Sequence, residues 1–222
     1  MNLKRIDIDQ MLLHETGRIL WEGDAGVIAQ SDGSGLVLSD VADGALLREK
    51  IRELFPQGHR SFCVHSDDAA QALRAEFGLS GETYCSQWVY TAQEAPEYPP
   101  HDIRPLAPQD VPLAASHYHL VDGSEAYLAG RAAAGRAWGL YENGTLAGFI
   151  GVHSEGSMGM LEIFPEYRRR GYGYALEAFA IGLHLRRGWT PYSQVIRGNE
   201  ASVNLQEKVR MELCAEPAIW LF

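Results

Sequence analysis

The chain is short of cysteine, of basic charge and of long apolar runs, and each shortage removes a class of function. Three cysteines among 222 residues, Cys63, Cys85 and Cys214, form an odd, scattered set without metal-ligand spacing. They read as free or buried thiols of a reducing compartment, not as a disulfide framework. Nineteen lysines and arginines against 29 aspartates and glutamates leave a formal net charge of −10. That balance argues against nucleic acid or an anionic membrane surface as partner, and is compatible with an amine-bearing one. No stretch approaches the ~18 apolar residues of a membrane span. The first residues, Met1 to Asp7, lack the apolar core of a secretory signal. The expectation is a cytoplasmic protein with neither a membrane nor a nucleic-acid partner.

Nucleotide-binding strings are missing too. No Gly-x-x-x-x-Gly-Lys-Ser/Thr follows an apolar run, and no glycine triplet has the dinucleotide spacing. What the chain does have is Glu166-Tyr167-Arg168-Arg169-Arg170-Gly171-Tyr172-Gly173-Tyr174. The preceding Met160–Pro165 reads as a buried strand. The following Leu176, Phe179 and Leu183 repeat at helical spacing, with Gly188 as a stop signal. A strand, a basic glycine loop and a helix N-terminus form an anion site. Gly171 and Gly173 let backbone amides turn outward, the helix dipole adds positive potential, and three arginines add full charges. The ligand expected there is a pyrophosphate.

The string Arg168-x-x-Gly171-x-Gly173 resembles the acyl-CoA loop of the GNAT N-acyltransferase superfamily, and its context agrees. Pro191–Ile196 reads as the next strand, and Asn199, Ser202, Leu205 and Lys208 fall where that family has Asn-x-x-Ser/Ala-x-x-Leu-Tyr-x-Lys. Upstream, His101–Leu106 and Asp110 look like its first strand and helix start. Trp138–Val152 reads as a hairpin turned by Asn143-Gly144. The likeness spans residues 101–222 in order. It implies an α/β (α+β) fold, a mixed, mostly antiparallel sheet with splayed central strands flanked by helices. Acetyl-CoA or another acyl-CoA is the implied co-substrate. Two positions depart from the pattern: Gln206 stands where a tyrosine often serves as general acid, and Arg210-Met211 replaces Gly-Phe. Within the superfamily, the Tyr192-Ser193-x-Val195 strand, Asn199-Glu200-Ala201 and Trp220 look closest to the glycine N-acyltransferase-like branch.

Acyl transfer to an amine needs a neutral nucleophile, donors for the oxyanion and a route for the thiolate to leave. The resemblance implies that the pantetheine pairs with exposed backbone at Ile163 and Phe164, with the Ile163 amide as oxyanion donor. Arg168, Arg169, Arg170, Gly171, Tyr172, Gly173 and Tyr174 cradle the pyrophosphate, and Asn199 and Ser202 complete the cofactor side. Glu162, alone in an apolar strand, is the candidate base; alternation turns it away from Leu161 and Ile163. A salt bridge to an arginine is its alternative role. Glu155 and His153 stand in reserve. For the acid, Tyr192 and Tyr174 are candidates, while Ser202 either reaches the sulfur or caps a helix. Phe149, Phe164 and Met160 shape the acyl slot. Glu125 and Tyr127 lie where the fold builds its acceptor pocket, while Tyr127, Leu128 and Trp138 also read as core. His117-Tyr118-His119 is the one close histidine pair, and residues two apart on a helix point ~200° away from each other, so no metal is expected.

Residues 1–92 need a separate account. Ala92–Pro100 is proline-rich and poor in aliphatics, so residues 93–100 read as a linker. Residues 62–90 slide without gaps onto 194–222, pairing Trp88 with Trp220, Leu73 with Leu205 and Val64 with Ile196. This pattern reads as a diverged internal copy. Its counterpart of the glycine loop, Asp40–Leu47, is acidic and lacks arginine. The first half is therefore expected to be a degenerate GNAT-like domain without CoA, supporting a second domain at 101–222. The expected activity is acyl transfer, acetyl above all, to a primary amine of a small or amino-acid-like acceptor, by a monomer or homodimer. The alternatives are a catalytically silent CoA-binding protein and a protein lysine or N-terminal acetyltransferase.

Overall fold

A computed structural model describes residues 3–118 and 123–222. The chain runs through α1 (Ile6–Leu13), β1 (Gly17–Gly23), β2 (Gly26–Ser31), β3 (Val37–Ser39), α2 (Gly44–Leu54), β4 (Phe62–Val64), α3 (Asp67–Phe77) and β5 (Glu82–Val89). It continues with β6 (Asp102–Pro105), α4 (Val111–His117), α5 (Ser124–Ala133), β7 (Ala137–Glu142), β8 (Thr145–Val152) and β9 (Met158–Ile163). Last come α6 (Tyr172–Arg186), β10 (Tyr192–Ile196), α7 (Glu200–Lys208) and β11 (Glu212–Leu221). Local chemistry fixes several of these bounds. Ser66 caps α3 by accepting from the Ala69 N–H at 3.1 Å, and Gly78, at φ 61°, ends the same helix. Asn143 and Gly144 both have positive φ, as a two-residue turn between β7 and β8 requires.

All these strands join one mixed sheet of 11, in the order β1-β2-β3-β4-β11-β5-β10-β9-β8-β7-β6. The order contains an exchange. β5, the last strand before residue 92, lies between β10 and β11; β11, the last strand of the chain, lies between β4 and β5. β5 and β11 run antiparallel from Glu212 opposite Val89 to Leu221 opposite Glu82. Each half thus completes the other's ladder, and the sheet has no seam at residues 93–100. That stretch has no helix or strand, but it is no free tether. Ala95 and Tyr98 pack on the main core, and the Tyr90 hydroxyl donates to the Glu94 carbonyl at 2.6 Å.

Helices cover both faces. Against α6 and α7 lie Trp88, Trp138, Ile150, Val195 and Met211 in one buried cluster. The α4 and α5 side buries Phe149, Met160, Phe164 and Leu128. The expected stripe on α6 is only part of the pattern: Leu176 is fully buried, Phe179 and Leu183 are half-buried, and Ala175, Ala178 and Ile181 are buried as well. A helix apolar on nearly all sides is a core helix, which makes its one buried carboxylate, Glu177, conspicuous.

Candidate active site

β9 and β10 are parallel neighbours that share a single ladder pair, Ser193 opposite Met158. No further pair joins the two strands, which leaves their facing edges toward Ile163 and Ile196 as an unpaired gap. A bulge in β9 helps to bend it: Met160 sits at φ 53°, and the register jumps between Phe149–Glu162 and Gly151–Gly159. Phe149 is paired with Glu162, and the Phe164 N–H donates to the Ala147 carbonyl at 3.0 Å. Strand alternation then turns the Ile163 N–H toward β10, into the gap. The Phe164 amide is committed to β8, so the expectation that it would pair with a ligand is corrected. Its ring stacks on His117 at 4.1 Å instead.

Gly171, at φ 83°, turns the chain into α6, and among the described residues no side chain caps that helix. The Tyr172, Gly173 and Tyr174 amides therefore open outward at the positive end of a 15-residue dipole. The helix after β3 is different. Asp43 accepts from the Ala45 and Leu46 amides at 2.9 and 3.0 Å, and Asp68 accepts from the Gly44 amide at 2.7 Å. Carboxylates already fill the place an anion would take on α2.

The three arginines of the loop do not act together. Arg168 folds back, donating from Nε to the Ile163 carbonyl at 2.9 Å and from Nη2 to Glu162 at 3.0 Å. Arg170 pairs with Glu142 at 2.9 Å and donates to the Glu166 carbonyl. The Tyr172 hydroxyl also donates to Glu142; with Arg170 it holds that carboxyl below the usual range. Of the three full charges expected of the loop, two are paired, with acids 6 and 28 residues away in sequence. Arg169 is exposed at φ 62°, and among the described residues no carboxylate lies within ion-pair distance of it. Lys208, on α7, places its Nζ 5.4 Å from the Tyr174 ring centre.

Glu162 lies on the expected face, opposite α6, yet its carboxylate is held by Arg168 at 3.0 Å. The alternative role, partner of an arginine, is the one the geometry records. Tyr192 does not reach the gap. It is fully buried, its hydroxyl donates to the Glu155 carbonyl at 2.8 Å, and burial raises its pKa well above the ordinary value. It is withdrawn as a proton donor because alternation along β10 turns it into the core. Tyr192→Phe is expected to leave turnover within about twofold and cost about 1–3 kcal/mol by stranding a buried carbonyl; activity assays and thermal melts check both. Asn199, not Ser202, caps α7, accepting from the Ser202 N–H at 3.1 Å. Ser202 is thereby at the third helical position, with its hydroxyl outside the cap. His153 accepts from or donates to the Tyr127 hydroxyl at 2.6 Å, and burial lowers its pKa. The buried Glu155 carboxylate is taken by Ser157 Oγ at 2.5 Å and Ser154 Oγ at 3.3 Å. Glu125 is exposed on α5, Leu128 and Trp138 are core, and His119 lies outside the described residues.

Two buried polar groupings escaped the sequence reading. The first links Asp7, Cys63 and His65, whose donor atoms lie within 4.8 Å of one another, so Cys63 is less isolated than its spacing implied. Burial opposes a charged imidazole there, but the Asp7 carboxylate 3.0 Å away prevails and the His65 pKa is raised. The second centres on Glu177. Its Oε1 accepts from Ser193 Oγ at 3.2 Å and Gln206 Nε2 at 3.3 Å, tying α6 to β10 and α7. Burial raises its pKa to about 6, with the two hydrogen bonds acting the other way. A raised carboxyl stabilises the fold below its unfolded pKa, and that stability is lost as pH climbs through about 6. The loss is on the order of 2 kcal/mol. Glu177→Gln is therefore expected to melt roughly 4–8 °C above wild type at pH 8, with the gap closing at pH 4.5. Melts across that range check it.

A family model described as the acetyltransferase (GNAT) family matches residues 96–210. No curated protein matches significantly. Among solved structures, a Drosophila protein is 18% identical, with a TM-score of 0.67, 99% of this chain and 88% of that chain covered. A GCN5-related N-acetyltransferase from Kribbella flavida is 15% identical, with a TM-score of 0.62 and coverage of 99% and 95%. A tandem GNAT protein from the clavulanic acid biosynthesis pathway is 15% identical, with a TM-score of 0.52 and coverage of 98% and 87%. At these identities the likeness is one of fold. Among the described residues, no helix is long and apolar enough to cross a membrane.

Proposed function

The chain belongs to the GNAT acetyltransferase family, and we propose that it transfers an acyl group, acetyl first among them, from acyl-CoA to a primary amine of a small or amino-acid-like acceptor. The observation that carries this reading is the gap between β9 and β10, opening beside the uncapped start of α6. In this reading the α6 amides, Arg169 and Lys208 hold the phosphates. The pantetheine adds to the edge of β9 facing β10 once Arg168 leaves the Ile163 carbonyl, and the Ile163 N–H faces the carbonyl oxygen as it gains charge. Phe149, Met160 and Phe164, which share one buried cluster, bound the acyl slot. The amine must be neutral to attack the thioester directly, and Glu162, on the face away from α6, takes its proton once Arg168 yields.

In the same reading, residues 1–92 are a degenerate GNAT-like half of the glycine N-acyltransferase-like kind, joined to a working half at 101–222. Three observations support it. The gapless match of 62–90 to 194–222 falls on α3 and α7 and on β5 and β11. The two halves exchange final strands. Carboxylates occupy the start of α2, where a phosphate would meet repulsion. A protein of similar fold is itself a tandem GNAT protein.

A panel of amines and amino acids, assayed for thiol release from acetyl-CoA and longer acyl-CoAs, tests the activity. Saturable release with one acceptor class supports it. Acyl-CoA binding without turnover of any amine supports the second reading, a silent CoA-binding protein, which the Glu162–Arg168 pair favours.

A further inference from the structure

The departing thiolate needs a proton, and the residues around the gap narrow its source. Tyr192 is buried with its hydroxyl on Glu155, and the Tyr172 hydroxyl is on Glu142. Tyr174 lies under Lys208. At the closed end of the gap stands Ser193, the β10 member of the one ladder pair with β9. Its hydroxyl contacts Glu177 at 3.2 Å.

We propose that Glu177, working through Ser193, returns the proton to the departing thiolate; this rests on the acyltransferase reading above. The hydrogen count around Glu177 supports it. Ser193 and Gln206 direct both of their donors at one oxygen, Oε1. Gln206 Oε1 is buried with no donor among the described residues. Both contacts hold with the carboxyl protonated, and its O–H then adds a donor to a cluster that has an unpartnered acceptor. Burial of the carboxyl, which favours its neutral form, agrees.

The step balances. The amine nitrogen bonds to the carbonyl carbon and loses a proton to the base. The C–S bond breaks with its electron pair going to sulfur. Ser193 rotates its hydroxyl, gives its hydrogen to sulfur and takes the Glu177 proton, leaving an amide, a free CoA thiol and a carboxylate that solvent reprotonates. Glu177 is thus a relay residue acting through Ser193, and its role depends on how badly the leaving group needs a proton.

That dependence is the test. Hydroxylamine serves as nucleophile, with acetyl-CoA or the acetyl thioester of an aromatic thiol as donor. An aromatic thiolate leaves without protonation. At about pH 6 or below, where the carboxyl keeps its proton, Glu177→Gln is expected to lower kcat with acetyl-CoA by roughly 100-fold, the low end of general acid–base effects, at unchanged KM, and to leave the aromatic thioester within about twofold. Ser193→Ala, which keeps the carboxyl, is expected to reproduce the pattern should Glu177→Gln fail to fold. Equal losses on both donors, or none, overturn the relay alone. A wild type that binds no acetyl-CoA overturns the relay and the acyltransferase reading together.

Discussion

Deletion of residues 1–92 is expected to leave residues 93–222 without a cooperative fold. The deletion removes β5 and β4, the two neighbours of β11, and it strips β10 of one side. β11 would then have no strand partner in the sheet. It also removes Trp88 and Tyr90 from the main cluster, and Val89 from the cluster around Tyr192 and Cys214, each at most 7% exposed. Removing a single buried aromatic costs about 3–5 kcal/mol. A whole domain commonly has only about 5–15 kcal/mol to lose. Circular dichroism and a thermal melt of the fragment decide it. A broad, non-cooperative transition is the expected result. A sharp melt within about 5 °C of the full chain, which for a chain this size is only ~1–2 kcal/mol, would mean the exchange carries little stability.

The strength of that expectation comes from a feature no local pattern encodes. The gapless correspondence of 62–90 with 194–222 was visible in apolar spacing and two tryptophans, and it falls on like elements, α3 with α7 and β5 with β11. Which strands β5 and β11 bond to was not legible, since a strand's edge partners are set by topology and not by its own alternation. The same divide runs through the site. Gly171 and the strand before it could be read, because a left-handed turn and an apolar run each restrict residue type. The pairing of Arg168 with Glu162 and of Arg170 with Glu142 could not, because a charged side chain's partner is fixed only when the backbone brings it near. Tyr192 was misplaced for a simpler reason: alternation names two faces without saying which one is lined by core. Glu177 went unnoticed because Leu176, Phe179 and Leu183 account for a helix without it, and only the all-round burial of α6 shows its carboxyl to be costly.

The second large effect is expected at Gly173. This glycine sits within the helix, not at positive φ, and a Cβ there would meet Ile163 Cγ1 at 3.8 Å and Leu205 Cδ2 at 3.9 Å, ordinary contacts. Neither the backbone nor the packing requires glycine, although it costs a helix about 1 kcal/mol relative to alanine. A ligand approaching the backbone closely would account for it. Gly173→Asp is then expected to fold as well as wild type, since a carboxylate in the first turn favours the dipole by about 0.3–1 kcal/mol. The same carboxylate would confront the pyrophosphate at contact distance, where like charges repel by several kcal/mol at an effective dielectric of about 20. A loss of ~3 kcal/mol, or more than about 100-fold in affinity, follows.

Calorimetric titration of acetyl-CoA into wild type and Gly173→Asp, with thermal melts of both proteins alongside, is the most direct test that this loop holds acyl-CoA. Saturable binding to wild type, weakened more than about 100-fold in a variant that melts no lower, is the predicted result. Equal affinity in the two proteins, or no binding to wild type, would contradict it.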